Sequence, residues 1–282
     1  MTLSQLYRKA IADFRQTDIE SPQYESMCLM EHFFAVSRAD LVVAGNNPAT
    51  ADIELEFLNA VKKRISGYPL QYILGEWTFM DIPLFVGDGV LIPRDDTEVL
   101  VREAIERIKN LENPKIIDLC SGSGAVAIAV AKAFPKSEIL AVELSDVAFA
   151  YLKKNIEHNN CSNIQAIKGD MFEIYNDFSD GYFDVLLSNP PYIKSDVIGT
   201  LSAEVQHEPR LALDGGADGM RFYNAISEKW KSKLKSGGFI GVEIGEDLSD
   251  ELVSLFNAYT LKDIYVLKDM AELDRAVFGT VC

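Results

Sequence analysis

The chain has 282 residues, 48% of them apolar, and a formal net charge of −16. That length suits one large domain, or a large domain with a small one, and no stretch approaches the roughly 18 consecutive apolar residues of a membrane span. The acidity is uneven, net −2 over residues 1–75 and net −14 over the remainder. This argues against a nucleic-acid backbone as the direct substrate, since Lys and Arg supply most phosphate binding, whereas a basic protein partner is easily accommodated. The N-terminus lacks the apolar core and small-residue cleavage site of a signal peptide, so none is expected. Cys28, Cys120, Cys161 and Cys282 form no C-x-x-C pair and there are only three histidines. Neither a disulfide framework nor a metal site is expected, and a reducing cytoplasm fits.

Residues 1–75 read as a small helical bundle. Leu3, Leu6, Tyr7, Ala10, Ile11 and Phe14 recur at helical spacing. Ser21-Pro22 marks a second helix start, with Met27, Leu29, Met30, Phe33 and Phe34 as its apolar positions. A third helix is expected from Asp52 to Ser66, ended by Gly67 and Pro69. Residues 76–92 change character: Trp77-Thr78-Phe79, a turn near Asp81, and Pro83 to Val86 predict a short β-hairpin that serves as a linker.

From residue 93 to 282 helix and strand alternate. Helices are expected around Val99–Ile108, Val126–Phe134, Asp146–His158 and Phe222–Leu234. Strands are expected at Lys115–Leu119, Glu138–Glu143, Ile164–Lys168, Phe183–Ser188 and Gly238–Ile244, with two more over 262–268 and 273–279. Repeated strand–helix units imply an α/β domain with a mostly parallel seven-stranded sheet covered on both faces. Ligands bind such sheets at the carboxyl ends of the strands, which is where chemistry is to be sought.

Three such ends carry unusual residues. The first strand runs into Asp118-Leu119-Cys120-Ser121-Gly122-Ser123-Gly124 and then directly into a helix, a loop whose glycines permit a tight turn and close approach to a ligand. Glu143 ends the next strand, where a carboxylate can accept from both hydroxyls of a ribose. Gly169-Asp170-Met171-Phe172 follows the third. The D-x-x-x-G-x-G order resembles the first motif of class I methyltransferases, whose fold is Rossmann-like. That resemblance implies S-adenosylmethionine as cofactor and S-adenosylhomocysteine as product. The loop Asp118 to Gly124, with Cys120, Ser121, Gly122 and Ser123, would wrap the methionine end and sugar. Asp170 and Met171 would border the adenine.

Ser188-Asn189-Pro190-Pro191-Tyr192 follows the apolar strand Val185-Leu186-Leu187. An amide or arylamine nitrogen is a poor nucleophile, so an enzyme acting on one must align its lone pair and hold its N–H groups. The Asn189 carbonyl can accept one N–H and the Pro190 backbone carbonyl the other, with proline fixing φ. Tyr192 can pack on the planar group, and Asn189 also borders the cofactor. Positioning and electrostatics would do most of the work, with no general base required.

Asn-Pro-Pro-Tyr occurs in amino methyltransferases acting on DNA and on protein glutamine. Leu91-Ile92-Pro93-Arg94 with Asp96-Thr97-Glu98, Glu208-Pro209, Ala212-Leu213, Gly215-Gly216-x-Asp218-Gly219, Gly237-Gly238, Glu243-Ile244-Gly245 and Asp274-Arg275 together resemble the HemK (PrmC) family of protein-glutamine N5-methyltransferases. The resemblance spans essentially the whole chain. It implies that the substrate is the glutamine of the Gly-Gly-Gln motif of class I peptide chain release factors, and that residues 1–75 dock this partner. No direct nucleic-acid or membrane partner is expected. Cys120 stands where the family often has glycine, Asp95 where proline is common, and Glu143 where aspartate is usual. The alternatives are a ribosomal-protein glutamine methyltransferase, a DNA or RNA adenine-N6 methyltransferase delivering a flipped base to the same residues, and a non-catalytic module that has kept the fold. A nucleophilic role for Cys120 is rejected, because no histidine lies nearby in sequence.

Overall fold

Local capping signals decide where the N-terminal helices begin. In the computed structural model, which describes Met1 to Cys282, five helices form where three are expected. They are α1 (Leu3–Phe14), α2 (Pro22–Phe34), α3 (Arg38–Ala44), α4 (Ala51–Ile65) and α5 (Leu70–Leu74). Thr2 and Gln5 form a capping box on α1, and Ser37 and Asp40 form one on α3, each satisfying amides that have no partner inside the helix. The extra helix α3 buries no residue. At 7 residues it is also too short for a helical periodicity to show. The extra helix α5 is a five-residue turn closed by Gly75 at φ 75°.

The chain divides into two units, one of Met1–Glu76 with Ser202–His207 and one of Trp77–Leu201 with Glu208–Cys282. Leu6, Phe14, Leu29, Met30 and Phe57 form the core of the first. Arg64, on α4, is only 4% exposed. Its guanidinium grips Glu25 through two bonds of 2.5 and 3.0 Å and also pairs with Glu204. A buried guanidinium needs such partners, because an uncompensated buried charge is strongly destabilising.

After the helices comes the hairpin β1 (Glu76–Phe79) and β2 (Ile82–Phe85). Met80 and Asp81 both have positive φ, 48° and 61°, the conformation of a two-residue turn that matches strand twist. After α6 (Thr97–Ile108) come β3 (Lys115–Leu119), α7 (Ala125–Ala133), β4 (Glu138–Glu143), α8 (Asp146–His158), β5 (Ile164–Lys168) and β6 (Phe183–Ser188). The chain continues through α9 (Arg221–Ala225), β7 (Leu234–Glu243), α10 (Ser249–Ala258), β8 (Lys262–Lys268) and β9 (Asp274–Thr280). The single helix expected over Phe222–Leu234 is broken into α9, a π-helical turn over Ile226–Trp230 and a 3₁₀ turn. The wide turn carries the fully buried Trp230, whose indole N–H donates to the Met171 carbonyl at 2.9 Å.

The seven strands lie in the order β5-β4-β3-β6-β7-β9-β8, all neighbours parallel until β9, which runs antiparallel to both β7 and β8. Successive side chains alternate between faces. Ile116, Val185 and Leu187 join a core with Leu100, Ile128 and Leu152. Ile117, Leu119 and Leu186 join one with Tyr223, Trp230 and Phe256. Both faces are thus covered, as the apolar strands require. The chain runs outward from β3 through β4 to β5, then returns to the other side of β3 as β6. That reversal opens a crevice beyond Leu119 and Ser188, where ligands bind such sheets.

Asn155, fully buried on α8, secures the near wall of this crevice. Its carbonyl accepts from the Phe85 amide at 2.7 Å, and its amide donates to the carbonyls of Phe85 and Ser123 at 3.0 and 2.8 Å. One side chain thereby ties the hairpin to the loop after β3. Asn155→Ala is predicted to lower unfolding free energy by about 2 kcal/mol, since it strips one buried and two half-buried backbone groups of their partner; chemical denaturation measures the change.

Candidate active site

The loop after β3 is held by its own backbone and by its neighbours. The Ser121 amide donates to the Val142 carbonyl at 2.9 Å, and the Gly124 amide to the Ser121 carbonyl at 2.8 Å. Gly124 has φ 89°, and a Cβ there would lie 2.7 Å from Leu152 Cδ1. Both the conformation and the close packing therefore demand glycine. Cys120 adopts φ 59°, a left-handed conformation that costs a non-glycine residue about 1 kcal/mol.

Two carboxylates face this loop. Glu143, 8% exposed, accepts from the Gly122 amide at 2.8 Å through Oε2 and from the Ser145 amide at 2.6 Å through Oε1. It latches the loop to the end of β4. Burial raises its pKa, and the amide bonds oppose that rise. Asp118, in β3 itself, is 1% exposed and neither of its oxygens has a hydrogen-bond partner. The Ser121 hydroxyl and the Ala127 amide lie close but outside bonding geometry. Burial pushes its pKa up to about 7.

Beyond β5, Asp170 Oδ1 accepts from the Phe172 amide at 2.9 Å, closing a tight turn. Met171 is buried with its sulfur 3.6 Å from that of Cys120. The Cys120 thiol is held well above its ordinary pKa by burial and by the neighbouring Glu143 and Asp118, which removes the thiolate a nucleophile would need. Phe172 packs on Phe222 with ring centroids 5.2 Å apart, and the Arg221 guanidinium lies 4.8 Å from the Phe172 ring centre.

Across the crevice, Ser188 Oγ donates to the Leu119 carbonyl at 2.7 Å, joining β6 to β3 at their carboxyl ends. Asn189 follows. Its Nδ2 donates to Thr97 Oγ1 at 3.1 Å, from the first turn of α6. The Tyr192 hydroxyl donates to Glu243 Oε1 at 3.3 Å. The Gly215 region braces this segment: Ile193 and Gly215 exchange backbone bonds with Leu213 and Ile193 at 2.9 and 2.8 Å. A Cβ on Gly215 would lie 2.7 Å from Tyr192 Cα, so only glycine lets the two strands of chain meet. Glu208, buried, pairs with Arg94 and accepts from the Ile92 amide at 3.3 Å, fastening the segment before α6.

One cavity unites most of these residues. Asp118, Cys120, Ser121, Gly122, Ser123 and Glu143 line it, together with Asp170 and Met171 after β5 and Asn189 and Pro191 after β6. Gly124, Pro190 and Tyr192 do not line it. Pro190 is buried and the Tyr192 hydroxyl is turned toward Glu243. Thr97, Phe172, Arg221 and Phe222 also line the cavity and were not assigned from sequence. Thr97 and Phe172 sit inside motifs that sequence singled out; Arg221 and Phe222 lie in a stretch read only as helix.

Residues 5–75 match the PrmC N-terminal domain family, and residues 96–209 match the methyltransferase small domain family. A release factor glutamine methyltransferase of Thermodesulfovibrio yellowstonii is 36% identical over 90% of this chain and 90% of its own. One of Clostridium botulinum is 33% identical over 98% of both chains. Among solved structures, a methyltransferase from Pyrococcus furiosus matches with TM-score 0.51 and 17% identity, covering 82% of this chain and 98% of that one. The hMettl16 catalytic domain in complex with the MAT2A 3'UTR hairpin 1 matches with TM-score 0.56 and 15% identity, covering 100% of this chain and 92% of that one. These two likenesses show the fold alone.

Asp118 also fixes a pH dependence. Its pKa in the ligand-free fold, about 7, lies above the ordinary value of 3.8. The stability it contributes is therefore full below the unfolded pKa and is lost as pH rises through about 7. Asp118→Asn removes this titration. From pH 6 to pH 8 the variant is predicted to gain about 1 kcal/mol on the ligand-free wild type, as read by denaturant unfolding at both values.

Proposed function

The chain belongs to the release factor glutamine methyltransferase family, and we propose that it transfers a methyl group to the side-chain amide nitrogen of the Gly-Gly-Gln glutamine in class I peptide chain release factors. The observation that carries this reading is the meeting, in one cavity, of the loop after β3 and the carboxylates Asp118 and Glu143 with Asn189 after β6.

The methyl donor is S-adenosylmethionine, and the residues present fit it. Asp118 is a buried carboxylate with no partner of its own, and Arg94 and Arg221 are the only basic residues lining the cavity. An anion left unpaired in a fold is costly, and a cationic ligand relieves that cost. Asp118, Glu143 and the loop Cys120–Gly124 would hold the cofactor, with Asp170, Met171 and Phe172 around its base. When bound, it supplies an electrophilic methyl on a positively charged sulfur.

The chain's own residues do the rest by placement. With Nδ2 engaged by Thr97, Asn189 presents Oδ1 as an acceptor for one N–H of the glutamine amide. The Pro190 backbone carbonyl, which does not line the ligand-free cavity, is assigned the second. Two acceptors on one NH2 turn the nitrogen lone pair away from its carbonyl and toward the methyl. Methyl transfer from the bound donor would leave the amide nitrogen acidic, and it would give up one proton past these acceptors to solvent. Excluding water strengthens each of these polar contacts. The helical unit docks the protein substrate; Val42 and Val43 on α3 are 86% and 88% exposed, leaving apolar surface for a partner. A substrate in the translation apparatus places the reaction in the cytoplasm.

The test is transfer from labelled S-adenosylmethionine to purified unmodified release factor, to its Gln→Ala loop variant and to duplex DNA. Label is expected on the first alone. Label on DNA would favour an adenine methyltransferase, and label on a ribosomal protein alone a sibling enzyme. Asn189→Ala is predicted to keep S-adenosylmethionine affinity within about twofold and to lose at least about 100-fold in turnover; isothermal titration and single-turnover assays separate the two.

A further inference from the structure

The segment from Asn189 to Tyr192 has a fastening problem that its own composition creates. Pro190 and Pro191 carry no backbone N–H, so neither can be pinned by donating a hydrogen bond. On the entry side the segment leaves β6, where the Ser188 hydroxyl bonds the Leu119 carbonyl at 2.7 Å. On the exit side Ile193 bonds Leu213 and Gly215, which are themselves loop residues. The pair of Lys194 with Asp247 at 2.9 Å is exposed, and such pairs hold little. Two carbonyls that must grip the two N–H groups of one amide need a firmer reference, and the sheet is the rigid body at hand.

Tyr192 is the first side chain after the prolines, and it reaches the sheet. Its hydroxyl donates to Glu243 Oε1 at 3.3 Å. Glycines let the chain close on it. A Cβ on Gly219 would lie 2.6 Å from the Tyr192 carbonyl oxygen, and one on Gly245 would lie 3.4 Å from the ring carbon Cδ2. Glu243 is the last residue of β7, a strand paired on both sides. Val242 stands opposite Ser188 of β6, and Glu243 itself opposite Ala276 of β9. The carboxylate is 1% exposed, and its second oxygen has no hydrogen-bond partner. Neighbouring donors are engaged elsewhere. Tyr223 donates to the Glu243 backbone carbonyl at 2.7 Å, and Arg275 lies 2.8 Å from Asp269 and 3.5 Å from Asp96.

We propose that Glu243 is a positioning residue: by accepting from the Tyr192 hydroxyl it ties the far end of the Asn189–Tyr192 segment to the sheet and so fixes the spacing of the Asn189 and Pro190 carbonyls. β6 holds the near end of the segment and β7 the far end, and these two strands are parallel neighbours. The inference rests on the amide-methylation reading above and deepens it. It gives the Tyr192 hydroxyl a task distinct from packing on the substrate, since the ring alone would suffice for packing.

The experiment compares wild type, Tyr192→Phe, Glu243→Gln, Glu243→Ala and the double variant Tyr192→Phe/Glu243→Ala in labelled methyl transfer to release factor, with S-adenosylmethionine affinity measured by titration. Phenylalanine keeps the ring and removes the donor; it is expected to lower kcat about 20-fold, with KM and cofactor affinity within about twofold of wild type. Glu243→Ala is expected to lose about as much. Glu243→Gln keeps a carbonyl for the phenol and is expected to hold kcat within about threefold of wild type. The double variant is expected to lose no more than either single variant, because the bond is already gone in each. Wild-type kcat in Tyr192→Phe, losses that multiply in the double variant, or a Glu243→Gln variant as slow as Tyr192→Phe would each overturn the pair. Wild-type protein that binds S-adenosylmethionine yet transfers no label to release factor would overturn the substrate reading instead, and the pair with it. Should Glu243→Ala not fold, Tyr192→Phe and Glu243→Gln decide the matter.

Discussion

The parallel pairing of β3 with β6 is the constraint on which the site depends. Leu119 stands opposite Ser188 in that register, and Ser188 Oγ bonds the Leu119 carbonyl at 2.7 Å. The loop that follows Leu119 and the Asn189 segment that follows Ser188 therefore leave the sheet side by side. A slip of one residue would turn both sets of side chains to the other face. Asp118 would leave its burial and the Asn189 segment would lose its place beside α6. Everything else at the crevice adjusts these two loops: Glu143 latches the first, the Gly215 region braces the second, and Asn155 binds the hairpin to the loop's far end.

Around that pairing the protein keeps polar groups where packing alone would not. Asp118 and Glu243 are both buried carboxylates with unsatisfied oxygens, and burial raises the pKa of each to about 7. In a fold built for stability alone such groups are replaced by apolar ones. Their environments differ: Asp118 lines the cavity, whereas Glu243 does not and accepts from the Tyr192 hydroxyl. Strain follows the same distribution, since the left-handed Cys120 also sits at the cavity.

The sheet was legible from sequence because its central strands are short apolar runs buried on both faces and followed by glycine-rich or proline-rich loops. The seven strands, their mostly parallel order and the position of the crevice follow from that pattern. Gly122, Glu143 and Asn189 were expected at strand ends, and all three line the cavity there. Helices α3 and α5 were not, since one buries nothing and the other is a single turn. The break in the helix after Arg221 was also hidden, because it arises from the seating of Trp230 rather than from a proline or glycine. Thr97, Glu243 and Asn155 escaped a functional reading for one reason. Each bonds partners about 50 to 90 residues away in sequence, and no local pattern records a contact formed only by folding.

The central claim is that the cavity methylates one amide nitrogen of a protein. Fragmentation mass spectrometry of release factor treated with the enzyme and S-adenosylmethionine tests it most directly. The account predicts a single added methyl, on the side-chain nitrogen of the Gly-Gly-Gln glutamine and nowhere else. A methyl on another residue, or an unmodified glutamine under conditions where the enzyme binds its cofactor, would contradict it.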